Sequence, residues 1–224
     1  MKVLVVCRQK QGKISPFIEE QVNSLINEGI DISFFYIKRG GFSGYLYHYK
    51  PFLKYVLKVK PDIIHAHNGL CGLFSSLQNF CPTVVTFHGS DINLYKSKLF
   101  SFFAYVISSK SIFVSEKLSK KFFIKNATII PCGVDVSIFK IMDHSKCKKK
   151  YNLNHKINVL FASTFDNKIK NFNLAKKSLE LLKNYDIEIV ELKGFSREDV
   201  AQLLNAVDLL LLTSNSEGSP QIIK

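Results

Sequence analysis

The stretch V-D-L-L-L-L-T-S-N-S-E-G-S-P-Q-I-I-K, residues 207–224, predicts a strand, a turn and the beginning of a helix. Its first six residues form a largely apolar run bounded by turn residues, the pattern of a strand buried on both faces of a parallel sheet. Ser219 suits the N-cap position and Pro220 the first helical position, so we expect a helix whose free N–H groups attract phosphate. Glu217 lies just before those donors, where its carboxylate could meet the sugar of a phosphosugar. The alternative is a surface glutamate in a polar loop.

Strand and helix alternate in the same way through the rest of the chain. The predicted strands cover residues 3–7, 30–37, 62–66, 83–87, 111–115, 127–130, 157–162, 187–192 and 208–212. The predicted helices cover residues 16–28, 45–59, 70–79, 98–108, 116–123, 173–183 and 197–206. Repeated βα units of this kind require a parallel sheet with helices on both faces.

The alternation is interrupted once, by a turn at residues 131–135 and a polar stretch with little apolar periodicity. The sequence therefore predicts an α/β fold with two Rossmann-like domains, residues 1–139 and 156–224, joined by a basic linker at 140–155. The second domain has only about 70 residues and lacks the helix that should cover its last strand. We expect it to be incomplete and weakly folded.

Composition narrows the class of protein. With 46% apolar residues, the chain has ample material for a buried core. No apolar run approaches the roughly 18 residues of a membrane span, and no signal peptide is recognisable. The cysteines are an odd set of five without C-x-x-C spacing, which argues against a disulfide framework or a zinc site. We expect reduced thiols and a cytoplasmic protein.

Positive charge is concentrated in the first part of the chain. Lys and Arg exceed Asp and Glu by 13 in residues 1–150 and are balanced by them in residues 151–224. Such an excess attracts polyanions, either an anionic membrane surface or nucleic acid. Segments 45–60 and 99–114 combine aromatic, apolar or basic residues that could dock on lipid; alternatively, the second is a core helix and the lysines are solvated. Nucleic acid is disfavoured because no helix-turn-helix, RRM or zinc-finger pattern is present.

Ligands of open parallel sheets bind outside the carboxyl ends of the strands. Gly12 follows the first strand and could let the backbone approach a substrate, but a single glycine is not the G-x-G-x-x-G of a dehydrogenase. His88 follows the fourth strand and is placed to hydrogen-bond a ligand, unless it is an ordinary loop residue. His65 and His67 could join it in a metal cluster. We expect no metal, because we predict that His65 and His67 face opposite sides of their strand and no suitably spaced carboxylate joins them.

Several of these segments resemble motifs of the GT-B glycosyltransferases of family 4. The stretch E-G-S-P-Q-I-I-K (217–224) looks like the opening of the E-x7-E motif, whose second Glu would be at position 225. The other matching segments, in order, are P-D-I-I-H-A-H (61–67), T-F-H-G-S-D (86–91), P-C-G-V-D (131–135) and K-I-K-N (168–171).

The resemblance implies transfer of a sugar from a nucleotide-activated donor to a saccharide or lipid-linked acceptor, with retention at the anomeric carbon. It places Glu217 and His88 at the donor sugar and Lys170 at the donor diphosphate, with Lys168 and the N–H groups at Gly218 and Ser219 as further donor contacts. Ser163 and Thr164 stand where the family usually has Gly-Arg. No metal or other cofactor is implied, because no D-x-D occurs.

The resemblance also sets expectations about the chain as a whole. The first domain would hold the acceptor and the second the nucleotide, in surface-polysaccharide or lipid-linked glycan synthesis. A chain that stops before the second Glu is expected to be an inactive fragment. The alternative is a non-catalytic remnant that binds a membrane or a partner, peripheral on the inner face of the plasma membrane.

Overall fold

Nine parallel strands form two separate sheets in the computed structural model, which describes residues 1–124, 126–153 and 156–224. The strands are β1 (Lys2–Arg8), β2 (Asp31–Ile37), β3 (Ile63–His67), β4 (Thr83–Phe87), β5 (Lys110–Phe113), β6 (Thr128–Ile129), β7 (Ile157–Phe161), β8 (Ile187–Glu191) and β9 (Leu209–Leu211). The helices are α1 (Pro16–Asn27), α2 (Gly41–Val59), α3 (Gly69–Ser76), α4 (Ser90–Asn93), α5 (Tyr95–Ile107), α6 (Glu116–Lys120), α7 (His144–Lys150), α8 (Phe172–Glu180) and α9 (Arg197–Ala206). The chain therefore has the α/β class that the sequence predicts.

The chain divides into two units. The first consists of Met1–Gly133 with Gly218–Gln221, and the second of Val134–Glu217 with Ile222–Lys224. No helix in the described part of the chain is long and apolar enough to cross a bilayer. No disulfide bond links the cysteines in the described part of the chain.

The sheet of the first unit has the strand order β2-β1-β3-β4-β5-β6. Its central strand β1 is buried from Val3 to Cys7. The even-numbered residues of this stretch belong to a large cluster that includes side chains of α2 and α3, and the odd-numbered ones pack with Ile18 and Val22 of α1. Burial on both faces explains why β1 is a continuous apolar run.

Helices α3 and α5 pack very closely because α3 carries two glycines on the contact. A Cβ added to Gly69 would overlap Ser101, and one added to Gly72 would lie 2.6 Å from Val85 Cγ1 and 3.3 Å from Ala104 Cβ. The nearest atoms to a Gly69 Cβ include the Cα of Ser101, which cannot rotate away.

Replacing Gly69 by Ala is expected to destabilise the first unit by about 1–3 kcal/mol, because overpacking outweighs the gain of about 0.5–1 kcal/mol from the stiffer unfolded chain. The matched control is Gly133→Ala, since a Cβ there meets nothing within 4 Å. Urea unfolding followed by circular dichroism measures both variants. Equal stabilities for the two would contradict the close packing of α3 on α5.

The second unit has a three-stranded sheet in the order β8-β7-β9. Leu160 of the central strand packs with Leu203 and Ala206 of α9. The ring of Phe161, the next residue, lies 5.2 Å from that of Phe172 at the start of α8, measured between centroids. The two helices therefore cover opposite faces of the sheet.

The first difference from the sequence prediction is helix α7, which was not predicted and lies within the linker predicted at residues 140–155, whose residues 154 and 155 are outside the described part of the chain. Asp143 caps this helix by accepting from the amide of Lys146, and Cys147 is buried with Leu153 against α9. On the outer side, Lys148 pairs with Asp208 at 2.7 Å. Lysines dominate the composition of α7, so its single buried position gave no periodic signal.

The second difference concerns the helix predicted to begin at Ser219 and Pro220. The structure has a single 3₁₀ turn at Gln221–Ile223 instead. The side chain of Gln221 donates to the carbonyl oxygen of Gly133 and to Glu20 Oε2.

Candidate functional site

Three histidines cluster in the first unit where β3 and β4 end. His67 Nδ1 lies 3.0 Å from His88 Nε2, and His65 Nε2 lies 2.8 Å from Thr86 Oγ1. The rings of His65 and His67 are 4.4 Å apart between centroids. The prediction that these two face opposite sides was wrong, because residues two apart on a strand share a face.

All three imidazoles are neutral at pH 7. Burial lowers the pKa of His65 to about 4 and that of His88 to about 3, and it lowers the pKa of His67 well below its ordinary value. The neighbouring imidazoles shift the pKa of His67 and His88 in the same direction. His88 can therefore act as a hydrogen-bonding group but not as a cation.

The hydrogen-bond partners indicate the tautomers. The buried Nε2 of His67 has no partner among the described residues. An unpaired acceptor is more readily tolerated than an unpaired N–H, so we assign the His67 proton to Nδ1, which donates to His88 Nε2. His88 then carries its own proton on Nδ1, 3.8 Å from Cys132 Sγ. Because a thiol sulfur is a weak acceptor, a ligand hydroxyl can replace that contact.

Asp91 fixes the main chain around His88. Its carboxylate accepts hydrogen bonds from the amides of Gly89 at 2.8 Å, Gly69 at 3.1 Å and His88 at 3.4 Å. Burial raises the pKa of Asp91, an effect that these three hydrogen bonds only partly offset. Sequence reasoning assigned no role to this residue, although it is the final letter of T-F-H-G-S-D.

Gly218 lies against the same turn, inside the first unit. A Cβ on Gly218 would overlap the carbonyl oxygen of His88, and Gly89 has a φ of 122°, which favours glycine. Both glycines are therefore sterically required. The half-buried Ser219 follows Gly218.

The second unit contains an ion pair at the ends of neighbouring strands. Lys170 follows β7, Glu217 follows β9, and Lys170 Nζ lies 2.7 Å from Glu217 Oε1. The side chains are 23% and 26% exposed. The structure thus brings together two residues that the sequence analysis assigned to the donor.

Further hydrogen bonds hold the loops that carry this pair. Thr213 Oγ1 lies 3.0 Å from the carbonyl oxygens of both Lys170 and Asn171. The Asn171 side chain donates to Asn215 Oδ1 at 3.2 Å, and the amide of Asn215 donates to the carbonyl of Ile169 at 2.9 Å. Sequence reasoning missed Thr213 and Asn171, whose positions after the two strands were the available signal.

Two predicted residues lie apart from these groups. Lys168 is exposed in the loop after β7. Gly12, with a φ of 78°, and Gln11, with a φ of 51°, form an exposed two-residue turn between Lys10 and Lys13. Gly12 is thus explained by its backbone conformation, and its predicted substrate contact stays a prediction. No arrangement of three or more His, Cys, Asp or Glu suited to a metal ion occurs among the described residues.

Comparison with known proteins identifies the family. The sequence profile of Glycosyltransferase Family 4 matches residues 2–138. The chain belongs to this family. The chain is therefore a glycosyltransferase by its family membership. None of the curated proteins compared with it matches the sequence.

Solved structures share the fold of this family 4 chain at low sequence identity. Sucrose-phosphate synthase from Thermosynechococcus elongatus is 13% identical, with a TM-score of 0.75 over 99% of this chain and 77% of the other. HepE from Anabaena, solved with UDP and glucose, is 16% identical, with a TM-score of 0.64 over 96% and 74%. UDP-GlcNAc 2-epimerase from Methanocaldococcus jannaschii is 15% identical, with a TM-score of 0.60 over 94% and 78%. The predicted GT-B fold is therefore confirmed, but an epimerase shares it, so the fold alone does not fix the reaction.

Proposed function

We propose that the protein transfers a sugar from a nucleotide-sugar donor to a saccharide or lipid-linked acceptor, with retention of anomeric configuration. The observation that carries this proposal is the Lys170–Glu217 pair at the carboxyl ends of β7 and β9 in a family 4 chain. Both charges occupy the edge where open parallel sheets bind ligands. HepE, which shares the fold, was solved with UDP and glucose.

Each member of the pair suits one part of such a donor. The ammonium of Lys170 provides positive charge for the diphosphate, whose negative charge increases as the bond to the sugar breaks. The carboxylate of Glu217 accepts hydrogen bonds from sugar hydroxyls. Because other hydrogen bonds hold the two loops, these side chains can exchange partners without unfolding the site.

For His88 we propose a hydrogen bond to the donor sugar. The sugar becomes positively charged as the diphosphate departs, and a neutral imidazole can bind it without adding charge repulsion. Replacing His88 by Ala is expected to lower turnover at least about tenfold, the effect of losing one hydrogen bond of roughly 1.4 kcal/mol. Wild-type turnover in this variant would remove His88 from the site.

The test is a panel of donors offered to the purified chain. Binding of UDP-, GDP- and ADP-sugars is measured by isothermal titration calorimetry, and release of the nucleoside diphosphate is followed with saccharide and lipid-linked acceptors. Transfer proves the activity, and the anomeric configuration of the product, measured by NMR, tests retention. Release of a free 2-epimerised sugar would contradict transfer, and binding of none of the donors would favour the non-catalytic alternative.

A further inference from the structure

The outer face of α5 carries large apolar side chains. Tyr95 is 92% exposed and Leu99 59%, whereas Ser101 and Ala104 of the same helix are fully buried. This arrangement is opposite to that of an ordinary surface helix, which turns its apolar side to the core. Further exposed side chains extend the surface, which we call the α5 patch: Tyr95, Leu99, Phe102, Phe103, Val106 and Phe123.

Packing against α3 fixes this orientation. Gly69 and Gly72 leave room only for small residues, and Ser101 and Ala104 fill that space. Rotating α5 to bury Phe103 would force an aromatic ring into the gap beside Gly69. The patch is thus a consequence of the core and not a local rearrangement of side chains.

The patch includes a groove of about 640 Å³. Its walls are mainly aromatic and aliphatic, including Leu99, Phe102 and Phe123, and Lys98 and Lys121 also line it. An exposed apolar surface of this kind marks an interaction site.

The charge around the α5 patch indicates which kind of partner would bind it. Residues 92–125 contain seven lysines and a single acidic residue, Glu116. That carboxylate lies 3.3 Å from Lys120, so it is already paired. A second copy of the chain would place one strongly basic patch against another, and such like-charge juxtaposition is unfavourable. Exposed aromatic side chains with lysines instead match the boundary between lipid headgroups and acyl chains.

We propose that the α5 patch docks on the surface of an anionic lipid bilayer. The apolar side chains enter the boundary between headgroups and acyl chains, and the lysines meet the lipid phosphates. This inference does not depend on the proposed sugar transfer, because it rests on a surface of the first unit that contains none of the proposed donor-binding residues.

The experiment is vesicle co-sedimentation of the 224-residue chain. We expect strong binding to phosphatidylglycerol-containing vesicles, weak binding to pure phosphatidylcholine, and a loss of binding between 0.05 and 0.5 M salt. Phe103→Gln is expected to lower the partition coefficient at least about tenfold. Lys98→Gln is expected to lower it about fivefold.

Matched controls lie in the second unit. Leu181 is 80% exposed and the Lys176 side chain 63% exposed, so Leu181→Gln replaces an exposed apolar side chain and Lys176→Gln removes an exposed charge outside the patch. Both are expected to bind vesicles like the wild type. The proposal is overturned if the controls lose as much binding as the patch variants, or if the wild type fails to bind anionic vesicles. The proposal is also overturned if sedimentation velocity shows that Phe103→Gln dissociates a dimer while vesicle binding is unchanged.

Discussion

Replacing Lys170 by Met is expected to weaken binding of the preferred nucleoside diphosphate by about tenfold to a hundredfold, the usual effect of losing a charge-assisted hydrogen bond. Replacing Glu217 by Gln is expected to act differently. The ammonium of Lys170 lies 2.7 Å from this carboxylate, so removing the negative charge leaves the positive charge more available to a diphosphate. Binding of the nucleoside diphosphate should therefore stay the same or tighten, whereas turnover of the nucleotide sugar should fall at least about tenfold.

The different effects expected of the two variants on nucleotide binding distinguish a donor site from an ion pair that is only structural. A half-buried ion pair stabilises a fold by only about 1 kcal/mol or less. If the pair were only structural, Lys170→Met and Glu217→Gln would both break it and would change nucleotide binding by the same amount. Lys176→Met is the control, because this lysine also faces a carboxylate, Glu180, at 4.0 Å in the same unit. Isothermal titration calorimetry with UDP, GDP and ADP gives the comparison. If Glu217→Gln weakens nucleotide binding as much as Lys170→Met does, the assignment of separate roles fails.

The strands that carry the site were readable from sequence because each strand depends on a local pattern. Largely apolar runs such as 3–7 and 157–162 indicate strands buried on both faces, and the turn residues after them locate the sheet edge. The resemblance to family 4 predicted that both Lys170 and Glu217 contact the donor, and the structure shows that both follow strands of one small sheet. Thr213 and Asn171 also follow these strands, but their hydrogen bonds link two loops that are distant in sequence, and no local pattern reveals such contacts.

The sequence did not predict features that depend on contacts between distant parts of the chain. In α5, nine of thirteen positions are apolar or aromatic, so periodicity could not tell which face is buried, and glycines of α3 decide it. Asp91 accepts from the amide of Gly69, a partner on another element that no local pattern reveals. The error about His65 and His67 was of another kind, since the two-residue period of a strand already places them together.

Acid is expected to destabilise the first unit steeply, beginning near pH 6.5. His65, His67 and His88 have an ordinary pKa near 6.5 in the unfolded chain, and burial lowers the pKa of all three in the folded chain. Below pH 6.5 the unfolded state therefore binds protons that the folded state does not, so stability present above that pH is lost as the pH falls towards 4. Three protons give a limiting slope of about 4 kcal/mol per pH unit. By pH 5 this slope removes about 6 kcal/mol, a large part of the roughly 5–15 kcal/mol by which a domain is stable.

The other buried titrating group in the cluster opposes this effect only weakly. Burial raises the pKa of Asp91, so its folded form gains a proton more readily as the pH falls. That is one proton against three. Urea unfolding at pH 7.5, 6.5, 5.5 and 5.0 measures the profile. His65→Gln should flatten the slope by up to about 1.4 kcal/mol per pH unit. His144→Gln, at a half-exposed histidine of the second unit, should leave it unchanged. If the wild-type urea midpoint does not move between pH 7.5 and 5.0, the three rings accept protons inside the fold. If the stability of His65→Gln changes with pH in parallel with the wild type, the ring of His65 is excluded as a cause.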